Sequence, residues 1–171
     1  MKVKILPILL LISIVPTLAA AQQKSESAIA AIRAEVGSIN LNSKNYARTT
    51  KDIEGISLEG ATAIYFVADR EIKKIRAKIY GETFNSSAEI FYRDRQPIFI
   101  FLKINRYETP IGTGGTPKVV AVEEQRIYYA NGKTIKVMLG KTAVPPSEAR
   151  FVEIERALTE LSEKFLAAYA E

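Results

Sequence analysis

Arg126-Ile127-Tyr128-Tyr129-Ala130-Asn131-Gly132-Lys133-Thr134-Ile135-Lys136-Val137 is the segment that decides the fold. Asn131-Gly132 separates two runs, Lys118 to Ala130 and Thr134 to Leu139, that carry the two-residue period of strands. Both central positions of a two-residue hairpin need φ > 0, and Asn-Gly supplies them at low cost. An antiparallel hairpin is therefore expected. The same reading extends upstream. Ile98, Ile100, Leu102 and Ile104 alternate with Phe99, Phe101 and Lys103, an apolar stretch that reads as a central strand. Asp94-Arg95-Gln96-Pro97 reverses the chain before it. Ala88, Ile90 and Tyr92 alternate with Glu89, Phe91 and Arg93, and Gly81 to Ser87 holds a turn. Ile75, Ala77 and Ile79 alternate with Lys74, Arg76, Lys78 and Tyr80, a half-buried strand with a basic outer face. Upstream of the Asp69-Arg70 turn, Ile56, Leu58, Thr62, Ile64 and Phe66 share one face, with Gly60 marking a bend.

Helical periods flank this region. Ile29, Ile32 and Val36 predict a short amphipathic helix over Ser25 to Val36, stopped by Gly37, and the polar residues 38–52 read as a loop, with the start of a short strand at Ile39 and Leu41 as the alternative. Pro145-Pro146-Ser147 closes the sheet. Phe151, Ile154, Leu158, Leu161, Phe165 and Tyr169 then form an apolar helical stripe, flanked by an i,i+4 Glu160–Lys164 pair. That stripe suits packing on a sheet better than a dimer seam, because so short a heptad run is marginal alone. The expected fold is α+β: an antiparallel meander of five to six strands, with a short N-terminal and a longer C-terminal helix packed on one face. A curved half-barrel with an apolar cavity is the alternative.

Three segments echo one another: Ile64 to Glu71, Glu89 to Gln96, and Arg126 to Lys133. Each is an aromatic-rich strand that runs into an Asp or Asn turn. At these residues the chain resembles MORN-type β-hairpin repeats, in which an aromatic pair precedes a turn of (D/N)-G type. Only Asn131-Gly132 keeps the glycine, with Arg70 and Arg95 in its place elsewhere. The resemblance implies a hairpin sheet and a binding or scaffolding role, and it carries over no catalytic residue.

The ends and the composition bound the function. Lys2 and Lys4, the apolar run Ile5 to Val15, and Ala19-x-Ala21 have the layout of a signal peptide over 1–21. The apolar run is too short for a spanning anchor. A single α+β domain over 22–171 follows, with helix and loop at 22–55, meander at 56–140 and C-terminal helix at 146–170. No transmembrane segment is expected after cleavage, and the location is periplasmic or secreted. Losing Lys2 and Lys4 with the leader takes the net charge from +5 to +3, too mild for a nucleic-acid surface. The chain has no cysteine and no histidine. That removes Cys nucleophiles, Ser-His-Asp triads and the usual zinc sites. No cofactor, metal ligand or catalytic residue is expected.

The candidate ligand-binding residues are Lys74, Arg76, Lys78 and Tyr80 on one strand and Phe99, Phe101 and Lys103 on another. Cations mixed with aromatics hold anionic, partly apolar ligands through charge and stacking. Envelope lipid, glycan or a protein partner fits that chemistry. The competing reading buries Phe99 and Phe101 under a helix. Gly112-Thr113-Gly114-Gly115 lies between Pro110 and Pro117 and leads into a strand, so it reads as a flexible loop and not as a phosphate cradle. Glu123 and Glu124 are adjacent on a strand and must point to opposite faces. The reading is an exported, non-enzymatic binding module. The alternative is an assembly protein acting through its sheet edge or C-terminal helix.

Overall fold

Three hairpins are built alike, and they set the sheet. Asp69 and Arg70 stand at φ 53° and 64°, Asp94 and Arg95 at 51° and 63°, Asn131 and Gly132 at 52° and 70°. Paired left-handed residues make the turn whose twist matches that of the flanking strands. In each case the register shifts three residues ahead of the turn, at Phe66/Val67, Phe91/Tyr92 and Tyr128/Tyr129. The sequence echo is thus one bulge-and-turn device used three times at the same end of the sheet.

The computed structural model describes residues 15–113 and 116–170. The basic start and most of the apolar run of the expected leader, and Gly114-Gly115 of the glycine loop, lie outside the described residues. Helix α1 spans Val15–Asn42, followed by a 3-10 turn at Ser43–Asn45. Strands β1 (Ala47–Ile53), β2 (Ala61–Ala68), β3 (Glu71–Gly81) and β4 (Phe84–Arg93) follow. Then come β5 (Gln96–Tyr107), β6 (Val119–Ala130), β7 (Lys133–Leu139), β8 (Thr142–Val144) and helix α2 (Ala149–Ala170). The strands form one eight-stranded antiparallel sheet in sequence order. The α+β class and the meander stand as expected, but the strand number rises from five or six to eight. β1 lies where the sequence reads as loop, because an edge strand of Arg, Thr, Lys and Asp buries only Ile53 and shows no apolar alternation. β8 is too short to carry a period. The half-barrel alternative gives way to an open sheet with β1 and β8 at its edges.

α2 covers one face. Ala63, Tyr65, Ile75, Ala77, Ile90, Ile100, Ile127 and Val137 pack there with Ile154, Leu158 and Phe165. Phe151, Leu161 and Tyr169 pack against the same core, so the C-terminal stripe is spent on the sheet. Lys164 turns to the Gly55 carbonyl. Three hydroxyls fix the helix in register. Tyr65 of β2 donates to the Phe165 carbonyl at 2.9 Å. Tyr92 of β4 meets Ser162 Oγ at 2.9 Å, and Tyr129 of β6 meets Thr159 Oγ1 at 3.0 Å. Lys51 Nζ donates to the Ala168 and Tyr169 carbonyls at 2.9 and 3.2 Å, closing the orphan end of α2. In β2, inward Ala61, Ala63 and Tyr65 correct the reading that put Ile64 and Phe66 with Ile56 and Leu58. Leu58 lies fully exposed in the loop before β2.

α1 takes the opposite face, so each helix covers one face in place of both sharing one. Ile29 and Ile32 pack on Tyr128, Ile39 on Phe91 and Ile98, and Val36 on Phe99. The helix runs through Gly37 to Asn42 and is the longer of the two. Packing of Ile39 beyond Gly37 outweighs the modest cost of a mid-helix glycine.

Two outcomes follow. Arg95→Gly should raise stability by about 1 kcal/mol, since a side chain at positive φ costs more than glycine's extra unfolded-state entropy. Urea unfolding measures this, and a neutral or destabilising result refutes it. Burial pushes the Tyr65 and Tyr129 hydroxyls up from 10.0 to about 12, and raises Tyr92 as well. A raised folded value means their contribution is intact below the unfolded value and lost as pH climbs through the folded one. Stability should therefore hold flat to about pH 10 and fall steeply towards pH 12, as alkaline unfolding followed by circular dichroism would report.

Candidate functional site

Cross-strand register sorts the candidate residues into two groups on the α1 side of the sheet. Arg48, Phe66, Lys74, Phe91, Phe99, Tyr128 and Lys136 face one another in a single row from β1 to β7. α1 lies over this row. Phe91, Phe99 and Tyr128 stack with centroids 5.9 and 4.8 Å apart. Lys74 is 6% exposed, ion-pairs with Glu89, donates to Asn40 Oδ1 of α1 at 2.8 Å, and sits 4.9 Å from the Phe91 ring centre. Arg93 pairs with Glu35, and Lys136 with Glu26 at 3.2 Å, pinning α1 at its sides. Lys74 and Phe99 are therefore part of the helix–sheet interface and leave the candidate site. Strand periodicity placed them on the right face, but it could not show how far α1 extends along it.

Arg76, Lys78, Tyr80, Phe101 and Lys103 are placed together on the part of this face that α1 leaves uncovered. One row carries Ile64, Arg76, Glu89, Phe101 and Arg126; the next carries Thr62, Lys78, Ser87, Lys103 and Glu124. Arg76, Lys78 and Tyr80 are exposed, while Phe101 and Lys103 are half-buried. An open depression of ≈ 540 Å³ is lined by Thr62, Ile64, Arg76, Lys78, Tyr80 and Ser87.

The charges here are unevenly matched. Glu89 is engaged by Lys74, Glu124 by Arg126, and Asp52 accepts from Thr62 Oγ1 at 2.8 Å. Among the described residues, Arg76, Lys78 and Lys103 form no ion pair. Lys78 and Lys103 flank Ser87 on adjacent strands. Strand spacing sets their backbones about 10 Å apart, within which two flexible ammonium groups can close on one anion over a small hydroxyl residue. Arg126 was missed from sequence. Its guanidinium stacks 4.8 Å from the Phe101 ring centre, and it donates to the Gly140 carbonyl at 2.7 Å. Only the β5–β6 register brings it there, and nothing local marks it. Asn105 donates to Asn85 Oδ1 at 2.7 Å, and Asn85 bonds the Tyr107 hydroxyl, stiffening the far rim.

The carboxylates are dispersed. Glu123 pairs with Arg150 of α2 and Glu124 with Arg126 on the other side, as their adjacency requires. Among the described residues, no three Asp or Glu gather to hold a metal. No described helix is long and apolar enough to cross a membrane. No protein-family model matches the chain, and no curated protein or solved structure matches it.

The split of the candidates has a direct consequence. Lys74→Glu places two acids together under α1 and should cost about 2 kcal/mol or more. Lys78→Glu on the open face should stay within about 0.5 kcal/mol. Thermal unfolding of the two variants compares them, and equal losses would contradict the division.

Proposed function

We propose that the chain is an exported, non-enzymatic binding module that takes an anionic, partly apolar ligand on its uncovered sheet face. One observation carries the reading: Arg76, Lys78 and Lys103, which form no ion pair among the described residues, share that face with Tyr80 and Phe101. Like charges gathered on one face repel, and an anion seated among them relieves the repulsion. Tyr80 and Phe101 offer flat apolar area beside the charges, which suits an amphiphile better than a bare inorganic ion. Phosphate-bearing envelope lipid has that chemistry. The signal-like leader and the hairpin resemblance to MORN-type repeats support export and a binding role.

The test uses vesicles of an anionic phospholipid against vesicles of a zwitterionic one. The chain should bind the anionic vesicles, more weakly as salt rises. Each basic side chain near such a surface contributes about 1 kcal/mol, so Arg76→Glu/Lys78→Glu/Lys103→Glu should lower affinity by about 100-fold or more. Unchanged binding by this variant, or equal binding to zwitterionic vesicles, defeats the reading.

A further inference from the structure

α1 turns two unlike flanks to the sheet face that it crosses. Ala28, Ala31 and Glu35 look towards the hairpin turns, where they meet Arg93, Asp94 and Pro97. Glu26, Arg33 and Asn40 recur every seventh residue, close to two helical turns, and so share the other flank. Asn40 accepts from Lys74, and Glu26 pairs with Lys136. Arg33 stands between them, over the Tyr128 ring at 5.7 Å. This flank therefore borders the uncovered floor of the sheet. Arg33 is exposed and forms no ion pair among the described residues.

A slot of ≈ 90 Å³ opens beneath that flank, between Ile32, Arg33 and Val36 of the helix and Phe99 and Tyr128 of the sheet. The apolar stem of Arg33 walls it while the charge keeps to water. The slot and the free cations lie along one line. β5 carries Phe99, Phe101 and Lys103 on the same face. Phe99 floors the slot, Phe101 lies one step out with Arg126 stacked on it, and Lys103 lies one step further, across Ser87 from Lys78. Four residues of extended strand separate Phe99 from Lys103, about 13 Å, the reach of an alkyl chain of roughly ten carbons. An apolar slot, a flat ring and unpaired cations, in that order, match the parts of a single-chain anionic amphiphile.

We infer that the slot under α1 takes the alkyl chain of an anionic ligand whose head group sits between Lys78 and Lys103. The inference rests on the anion-binding reading for the head group. It adds that the ligand is held as a single molecule, with its chain lifted off any lipid surface and laid across Phe101. A methylene removed from water strengthens binding about fourfold. Carbons over Phe101 keep one side in water, whereas those between Val36, Phe99 and Tyr128 are covered on both sides. Affinity therefore climbs most once the chain is long enough to pass Phe101 and enter the slot.

Calorimetric titration with butyl phosphate and decyl phosphate, both kept below the concentration at which they form micelles, tests this. Both should bind, decyl phosphate about tenfold or more tighter. Val36→Phe puts a ring into the slot and should shrink that chain-length gain to about twofold, with butyl phosphate unaffected. Arg33→Ala removes one wall at an exposed position, where the fold is not at stake, and should cut the gain about threefold. Equal affinities for the two phosphates, or a gain that both variants keep, overturns the inference and leaves the anion site standing. Decyl phosphate binding that Arg76→Glu/Lys78→Glu/Lys103→Glu does not weaken upholds the slot and overturns the head-group reading. Binding of neither phosphate overturns both.

Discussion

Three tyrosine hydroxyls fasten α2 to β2, β4 and β6. Tyr65, Tyr92 and Tyr129 reach Phe165, Ser162 and Thr159, which lie three residues apart along the helix. A ring that buries its body in the core while its hydroxyl finds a partner supplies apolar area and direction together. The hydrophobic stripe of α2 would tolerate sliding. The hydroxyl contacts do not, since a shifted helix would leave buried donors unpaired at a cost near that of a lost hydrogen bond. With α2 set in this way, one face of the meander is closed and the alternation of every central strand is settled.

That closure determines what remains for function. α1 seals one end of the opposite face by laying Ile29, Ile32, Val36 and Ile39 over the aromatic row, and it absorbs Lys74 through Asn40. The rest of the face keeps Arg76, Lys78 and Lys103 uncovered. Had α1 reached further, these cations would have needed carboxylate partners or dehydration, and the nearby acids are already engaged.

Much of the meander was legible because hairpin chemistry is local. Asp69-Arg70, Asp94-Arg95 and Asn131-Gly132 mark their turns, and the alternation of β3, β4 and β5 follows from their own residues. β1 was illegible for a physical reason: an edge strand with polar side chains has one small buried surface and borrows its partner from β2. Gly37 misled because a helix stop was inferred from one residue, while the stability of α1 beyond it comes from Ile39 on Phe91 and Ile98. Five of the seven candidate site residues stayed together because strand period assigns faces reliably. Arg126 was invisible, since its place beside Phe101 exists only through pairing between strands.

By itself the sequence determined the α+β class, the antiparallel order, the places of the three turns and the stripe of α2, because turn signals and side-chain periods depend on residues close in the chain. Only the tertiary structure decided which face each helix covers and which cations stay unpaired. Those outcomes depend on how far one element extends over another, and no local period records a length that packing sets.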